Sequence, residues 1–428
     1  MSNCPGRFTG LPPRHGRVTP SCDQIMRMYQ VAPSGTPISL ADVASCLLDR
    51  LRQRDALEAF RASIRSRYGS RYCLFVSTGR AALALILQAM RELAPGDRDE
   101  VIIPSYTCYS VPAAVARAGL KVRICDIDAE TLDYDHAALE RADFSRVLCV
   151  ASANLYGIPN DLPRLRAIAG SRGAFVLDDA AQSMDARVNG EFSGTLGDVG
   201  IFSLDKGKNI TTIDGGIIVT DREDLGTLLQ AKVADLPQPS ATTRLVYFAK
   251  LIAYSIFLHP RLYWMPDSAP FLKLGTTMYP HDLAIQAYPG FLASDGNRLF
   301  QRIEALTSAR IENARYLLGK LHDLESVRLV SMLPGASPVF LRLPIFVSGN
   351  QRNRAVAVLR EAGIGASGSF PTCIADIPDV DASLFRGASD SEAGRWVAAH
   401  ILTLPTHPFA SKRMLERAIA VLKSSTVE

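Results

Sequence analysis

Three short stretches carry side chains whose types and spacing could do chemistry together. Ser77-Thr78-Gly79-Arg80 follows the apolar run Leu74–Val76 and opens a stretch rich in Ala and Leu. A strand running into a helix there turns free backbone N–H groups and the positive end of the helix dipole toward whatever lies in front, which makes an anion site. Asp178-Asp179-Ala180-Ala181-Gln182 follows Phe175–Leu177, and Ser203-Leu204-Asp205-Lys206-Gly207-Lys208 follows Val199–Phe202 and leads to Gly215-Gly216. A lysine and a carboxylate at neighbouring strand ends have a plain explanation as a surface ion pair of small energetic worth. The anion cradle beside them points elsewhere. A phosphate cradle, an acid to hold a pyridinium proton and a lysine to form an imine are the three protein groups that pyridoxal phosphate needs.

The elements that must position these groups are legible as seven apolar runs of strand length between residues 73 and 220: 74–76, 101–103, 122–124, 147–150, 175–177, 199–202 and 217–219. Most are separated by helix-like stretches such as Ala81–Leu93, Val111–Ala118 and Leu162–Ala169. Runs apolar on both faces with helical crossovers predict an α/β fold with a seven-stranded, mostly parallel sheet covered by helices. Ligands of such sheets bind outside the carboxyl ends of the strands, where the three stretches lie.

The whole chain divides, on this reading, into an N-terminal arm (1–35), a large cofactor-binding domain (36–235), an apolar insertion (236–275), connecting helices (276–322) and a small C-terminal α+β domain (323–428). The insertion contains Leu245–Met265, the most apolar stretch of the chain, broken by Lys250, His259, Pro260 and Arg261 below membrane-spanning length. We expect it to be buried, in the core or across a dimer, rather than laid on a membrane surface. Gly363-Ile364-Gly365-Ala366-Ser367-Gly368 matches the spacing of a dinucleotide fingerprint, but a helix precedes it and Phe370-Pro371 follows, so it reads as a structural turn.

Composition narrows the classes. The 428 residues carry a net charge of only +4, with no dense basic run, which argues against nucleic acid as a partner. The eight cysteines include no CxxC pair, and the first twenty residues hold no apolar core of signal-peptide length, so a cytoplasmic protein with reduced thiols is expected.

Ser77-Thr78-Gly79-Arg80-Ala81-Ala82-Leu83, Pro104-Ser105-Tyr106-Thr107-Cys108, Asp178-Asp179-Ala180-Ala181-Gln182, and Phe202-Ser203 through Lys208-Asn209 to Gly215-Gly216 appear in this order. Together they resemble the DegT/DnrJ-type pyridoxal-phosphate-dependent sugar aminotransferases, of the aspartate-aminotransferase fold (fold type I). The likeness covers 70–235 well and 276–422 more loosely, and Leu404-Pro405-Thr406-His407-Pro408 extends it toward the C-terminus. It implies a homodimeric enzyme that binds pyridoxal 5'-phosphate and moves an amino group from an amino-acid donor, glutamate in the first instance, to a keto acceptor on a nucleotide-linked sugar. Lys208 would be the Schiff-base lysine and proton carrier, with Lys206 a solvated neighbour. Asp179 would keep the ring nitrogen protonated, while Asp178 would be structural. Gln182 would lie by the ring hydroxyl, and Gly79, Arg80 and Ser203 would hold the phosphate. No metal is implied, and His407 is expected to be structural.

The chain departs from the family at three places. Cys108 stands where an aromatic ring usually covers the cofactor, which moves that expectation to Tyr109 or Tyr106. Residues 274–280 offer no match to the Asn and Arg that a partner subunit usually lends to the phosphate, for which Arg80 could compensate. The apolar insertion is longer than usual. Other readings are transamination of a non-sugar ketone, sugar dehydration on the same scaffold (a branch that resembles this family but replaces the lysine with histidine), or a scaffold without turnover, binding the cofactor or a membrane surface.

Overall fold

The computed structural model describes residues 29–51, 55–272, 275–386 and 390–425. Two helices come first, α1 (Leu40–Leu51) and α2 (Ala56–Tyr68). The alternation that follows is β1 (Tyr72–Val76), α3 (Gly79–Leu93), β2 (Glu100–Pro104), α4 (Ser110–Arg117), β3 (Lys121–Cys125), α5 (His136–Arg141), β4 (Val147–Ala151), α6 (Leu162–Gly170), β5 (Phe175–Asp179), β6 (Val199–Ser203) and β7 (Gly216–Thr220). These strands form one sheet in the order β1-β7-β6-β5-β4-β2-β3, in which only β7 runs against the rest. Every residue of β2, β4, β6 and β7 is buried, because helices cover both faces of the sheet. The seven apolar runs of the sequence are these seven strands.

After α7 (Glu223–Ala234) comes α8 (Ala241–Phe257), then α9 (Ala293–Gln301) and α10 (Ile303–Leu321). The remainder builds a three-stranded antiparallel sheet, β8 (Val327–Leu329), β9 (Arg342–Val347) and β10 (Ile401–Pro405), with α11 (Gly349–Glu361), α12 (Glu392–His400) and α13 (Lys412–Ser425). Its core continues into Tyr106, Leu155 and Tyr156 beside the large sheet, so the two sheets share packing.

One sequence expectation narrows here to its second alternative, burial across a dimer, and another changes. The Leu245–Met265 stretch is not internal to one chain: Leu251 and Leu258 are buried, but Leu245 is 67% exposed, with Val246, Ile256 and Met265 also exposed. Helix periodicity puts 245, 246, 249, 253 and 256 on one outward stripe, so α8 is amphipathic with an apolar outer face. No described helix is long and apolar enough to cross a membrane. The N-terminal arm also differs. Positions 1–28 lie outside the described residues, but 29–36 run through the interior as a strap, with Val31, Ala32 and Thr36 fully or almost fully buried. Val31 N–H donates to Gly363 O at 2.9 Å and Gln30 N–H to Pro260 O at 2.8 Å. The Gly363–Gly368 turn receives this strap: a Cβ on Gly365 would come within 2.4 Å of Ala32 and Pro33 backbone atoms.

Candidate active site

The carboxyl ends of β1, β5 and β6 open on a cavity of about 230 Å³, whose wall includes Gly79, Arg80, Asp179, Gln182, Ser203 and Lys208. Thr78 caps α3 by accepting Ala81 N–H at 2.9 Å, and the N–H groups of Gly79 and Arg80, which have no intrahelical acceptor in the first turn, belong to residues of the cavity wall. Gly79 and Ser203 touch across it, since a Cβ on Gly79 would stand 3.2 Å from Ser203 Oγ. Gly216 passes beneath, where a Cβ would come within 2.4 Å of Thr78 O. The two glycine positions are thus what lets β1, β6 and β7 converge on one small concavity of backbone N–H groups and a hydroxyl.

Asp179 ends β5. Its N–H donates to Ser152 Oγ at 3.1 Å and its Oδ1 accepts Ala181 N–H at 3.0 Å. Burial pushes its carboxyl above the ordinary range, while Ala181 N–H and the Lys208 charge pull it down. Asp178 points to the other side of the strand. Its Oδ2 accepts Gly194 N–H at 2.6 Å and Leu196 N–H at 3.2 Å, and its Oδ1 accepts Asn154 Nδ2 at 2.7 Å. Gln182 commits Oε1 to Tyr156 N–H at 3.1 Å, which leaves its amide N–H groups for what the cavity holds. Lys208 lines the cavity, whereas Lys206 does not and lies 3.5 Å from Asp205 Oδ1 on the surface.

Tyr109 is not brought to this site. Its ring is buried against Phe370, and its hydroxyl accepts Thr372 N–H at 3.0 Å and bonds Thr372 Oγ1 at 2.6 Å. Tyr106 is likewise buried, its hydroxyl bonded to Phe370. Thr107, Cys108, Ser110 and Val111, on either side of Tyr109, are the residues of that segment that reach the wall. The two tyrosines follow the side of the loop facing the C-terminal core, which sequence spacing alone does not reveal. His407 lies away from the cavity and donates Nε2–H to Ala32 O at 2.9 Å, and burial lowers its pKa to about 4.

Asn154, Asp205 and Asp214 are among the polar wall residues that were not anticipated. Asn154 ties Asp178 to the backbone of Asp179, donating to Asp179 O at 3.0 Å. Asp205 and Asp214 bring two carboxylates to the anion end. Burial, and then the Asp205 charge, push Asp214 up to about 7 against the pull of Gly215 N–H, Lys206 and Arg80. Both aspartates flank motif positions, so their place in the sequence was a signal, although their aim was not.

The residues present fit pyridoxal phosphate. A Cβ on Gly79 would crowd Ser203 at 3.2 Å at the helix N-terminus where a phosphate would sit, while a half-buried carboxylate and an amine stand along the same wall. A model of the DegT/DnrJ/EryC1/StrS aminotransferase family matches residues 40–233 and 290–423. The internal stretch it leaves out, 234–289, contains α8. Similar curated proteins include GDP-4-keto-6-deoxy-D-mannose 3-dehydratase of Yersinia pseudotuberculosis, 34% identical over 165 residues (38% of this chain, 42% of the relative). Another is UDP-N-acetyl-3-dehydro-alpha-D-glucosamine 3-aminotransferase of Acidithiobacillus ferrooxidans, 35% identical over 187 residues (44% and 48%). The chain spans less than half the length of these curated relatives. In fold it is similar to E. coli GDP-4-keto-6-deoxy-D-mannose-3-dehydratase with bound hydrated PLP, at a TM-score of 0.74 and 20% identity over 92% of this chain and all of that one.

Proposed function

Because the chain belongs to the DegT/DnrJ/EryC1/StrS aminotransferase family, we propose that it is a pyridoxal-phosphate-dependent aminotransferase carrying an amino group from an amino acid, glutamate in the first instance, to the keto group of a nucleotide-linked sugar. One observation carries the reading: an amine (Lys208), a half-buried carboxylate (Asp179) and a helix N-terminus with its facing hydroxyl (Gly79, Arg80, Ser203) line the same cavity. Pyridoxal phosphate, when bound, supplies an electron sink for the carbon that bears the amino group. Asp179 holds a proton on the ring nitrogen, because a neighbouring negative charge raises that nitrogen's pKa. Lys208 Nζ would hold the cofactor and, once released from it by the amino donor, would take the proton from the carbon that bears the amino group; with the keto acceptor bound it would deliver a proton to the carbon that gains the amino group. The backbone N–H groups of Gly79 and Arg80, with the Ser203 hydroxyl, hold the phosphate.

Dehydration of a keto sugar is the second reading, favoured by the likeness to the Yersinia dehydratase. Lys208 weighs against it, since histidine at that place is what distinguishes the dehydratase branch in the resemblance drawn above. The reading includes a homodimer, which the uncovered apolar stripe of α8 supports, and a reducing cytoplasmic compartment, which the unpaired described cysteines support. Mass spectrometry of products formed from glutamate and a panel of nucleotide-linked keto sugars tests it. An amino sugar with matching 2-oxoglutarate is expected, and a deoxy keto sugar with no nitrogen gained would transfer the assignment to the dehydratase.

A further inference from the structure

The loop between β6 and β7 carries Lys208, and its backbone carbonyls are satisfied by a segment more than 170 residues away in sequence. Ser34 Oγ donates to Gly207 O at 2.5 Å. Thr36 Oγ1 lies 2.8 Å from Lys208 O and 2.8 Å from Asn209 O. Three consecutive carbonyls of the loop are therefore met by two hydroxyls of the strap. The Asn209 side chain makes no such bond, since its Nδ2 and Oδ1 are buried without a partner.

The direction of the Thr36 bond follows from what stands behind it. Arg310 is fully buried, and its Nη2 donates to Thr36 Oγ1 at 2.9 Å and to Gly35 O at 2.8 Å. A guanidinium only donates, so Thr36 Oγ1 accepts from Arg310, and its single O–H proton is committed to the Lys208 and Asn209 carbonyls. Thr36 N–H in turn donates to the Tyr254 hydroxyl of α8 at 3.1 Å. Lys208 N–H donates to Asp205 O at 3.2 Å. The peptide groups on both sides of the Lys208 Cα are thereby fixed, and only the side chain is left to swing.

We propose that Thr36 is a positioning residue for Lys208: clamped by Arg310 and Tyr254, it fixes the backbone from which the reacting amine reaches the cavity. The proposal rests on the reading of Lys208 as that amine. Residues acting on reaction geometry through a single backbone contact change rate far more than they change affinity, because a displacement of about 1 Å can cost on the order of a hundredfold in rate.

The test uses holoenzyme of wild type, Thr36→Val and Thr36→Ser. Valine keeps the shape and removes the hydroxyl, and serine keeps the hydroxyl. The expected result for Thr36→Val is a single-turnover rate with glutamate lower by roughly ten- to a hundredfold. Alongside it we expect a displaced pH midpoint of the visible absorbance band, cofactor affinity within about threefold of wild type, and substantial rescue of rate and midpoint by Thr36→Ser. Amide hydrogen exchange of the 204–212 peptide without cofactor should be faster in Thr36→Val than in Thr36→Ser or wild type. A Thr36→Val holoenzyme with unchanged rate and midpoint would overturn the proposal, as would slow turnover that serine fails to rescue. Wild type that takes no borohydride label at Lys208 would overturn it through the underlying reading of the site. The exchange measurement separates those failures, since it reports the tether whether or not the cofactor binds.

Discussion

Asp178 and Asp179 are neighbours on β5 with opposite assignments: Asp178 is closed off by Gly194 N–H, Leu196 N–H and the Asn154 amide, while Asp179 lines the cavity with Lys208. Alternation along the strand separates them, so a one-residue change of register would exchange their roles. Asp179→Asn should bind pyridoxal phosphate and lose most turnover, because a neutral amide no longer favours the protonated ring nitrogen. Asp178→Asn should instead lose about 1–3 kcal/mol of folding stability, since an amide cannot accept all three bonds, with less effect on the chemistry of the folded fraction. Urea unfolding paired with steady-state rates checks both, and equal rates for Asp179→Asn and wild type would remove the electron-sink assignment.

Borohydride reduction of the holoenzyme followed by peptide mapping should put the pyridoxyl mass on Lys208. Lys206, exposed and beside Asp205, should stay unlabelled. A label on Lys206 would mean that the loop is rearranged when the cofactor binds.

Arg80 lies in the cavity wall at the N-terminus of α3, where its guanidinium can add to the backbone N–H groups on the phosphate. Arg80→Ala should weaken cofactor affinity by roughly ten- to a hundredfold, the equivalent of about 1.5–3 kcal/mol for a charge-assisted contact, and change turnover little at saturating cofactor. Equilibrium titration of the visible band measures it, and an unchanged dissociation constant would show that Arg80 serves Asp214 instead.

The apolar stripe of α8 should be covered in solution by a second copy of the chain. Leu245→Ser with Val246→Ser and Ile256→Ser should raise the dimer dissociation constant in sedimentation equilibrium and leave the melting transition of the monomeric unit in place. Sedimentation of wild type with anionic vesicles is the opposing result. It would place the stripe on a lipid surface and carry the acceptor class toward lipid-linked sugars.

Asp295 in α9 is fully buried with neither carboxylate oxygen bonded, and burial raises its pKa from 3.8 to about 8. A folded-state pKa above the unfolded value means that the native state binds the extra proton, so stability is greatest below pH 3.8 for this group and is lost as pH rises toward 8. Asp295→Asn should therefore gain stability relative to wild type as pH increases from about 5 to 9, read by urea unfolding at each pH. A pH-independent difference between the two proteins would show that the carboxyl finds a partner.

The sheet was legible in the chain because strands buried on both faces can only be short apolar runs, and helical crossovers must separate parallel ones. The same logic put the chemistry at the strand ends, where Gly79, Asp179, Ser203 and Lys208 now share a wall. These are local signals, each written in a few consecutive residues. What only the tertiary structure decided is non-local. Nothing near Tyr109 indicated that its hydroxyl would go to Thr372, because that bond joins segments 263 residues apart. Nothing in 29–36 carried a period, since its place is set by His407, Arg310 and Gly363 one bond at a time. The α8 run reads as core by composition, yet one chain leaves its outer face in solvent. Hydrophobicity determines that a segment must be covered, while the partner that covers it is determined only by what the rest of the fold, or another molecule, brings alongside.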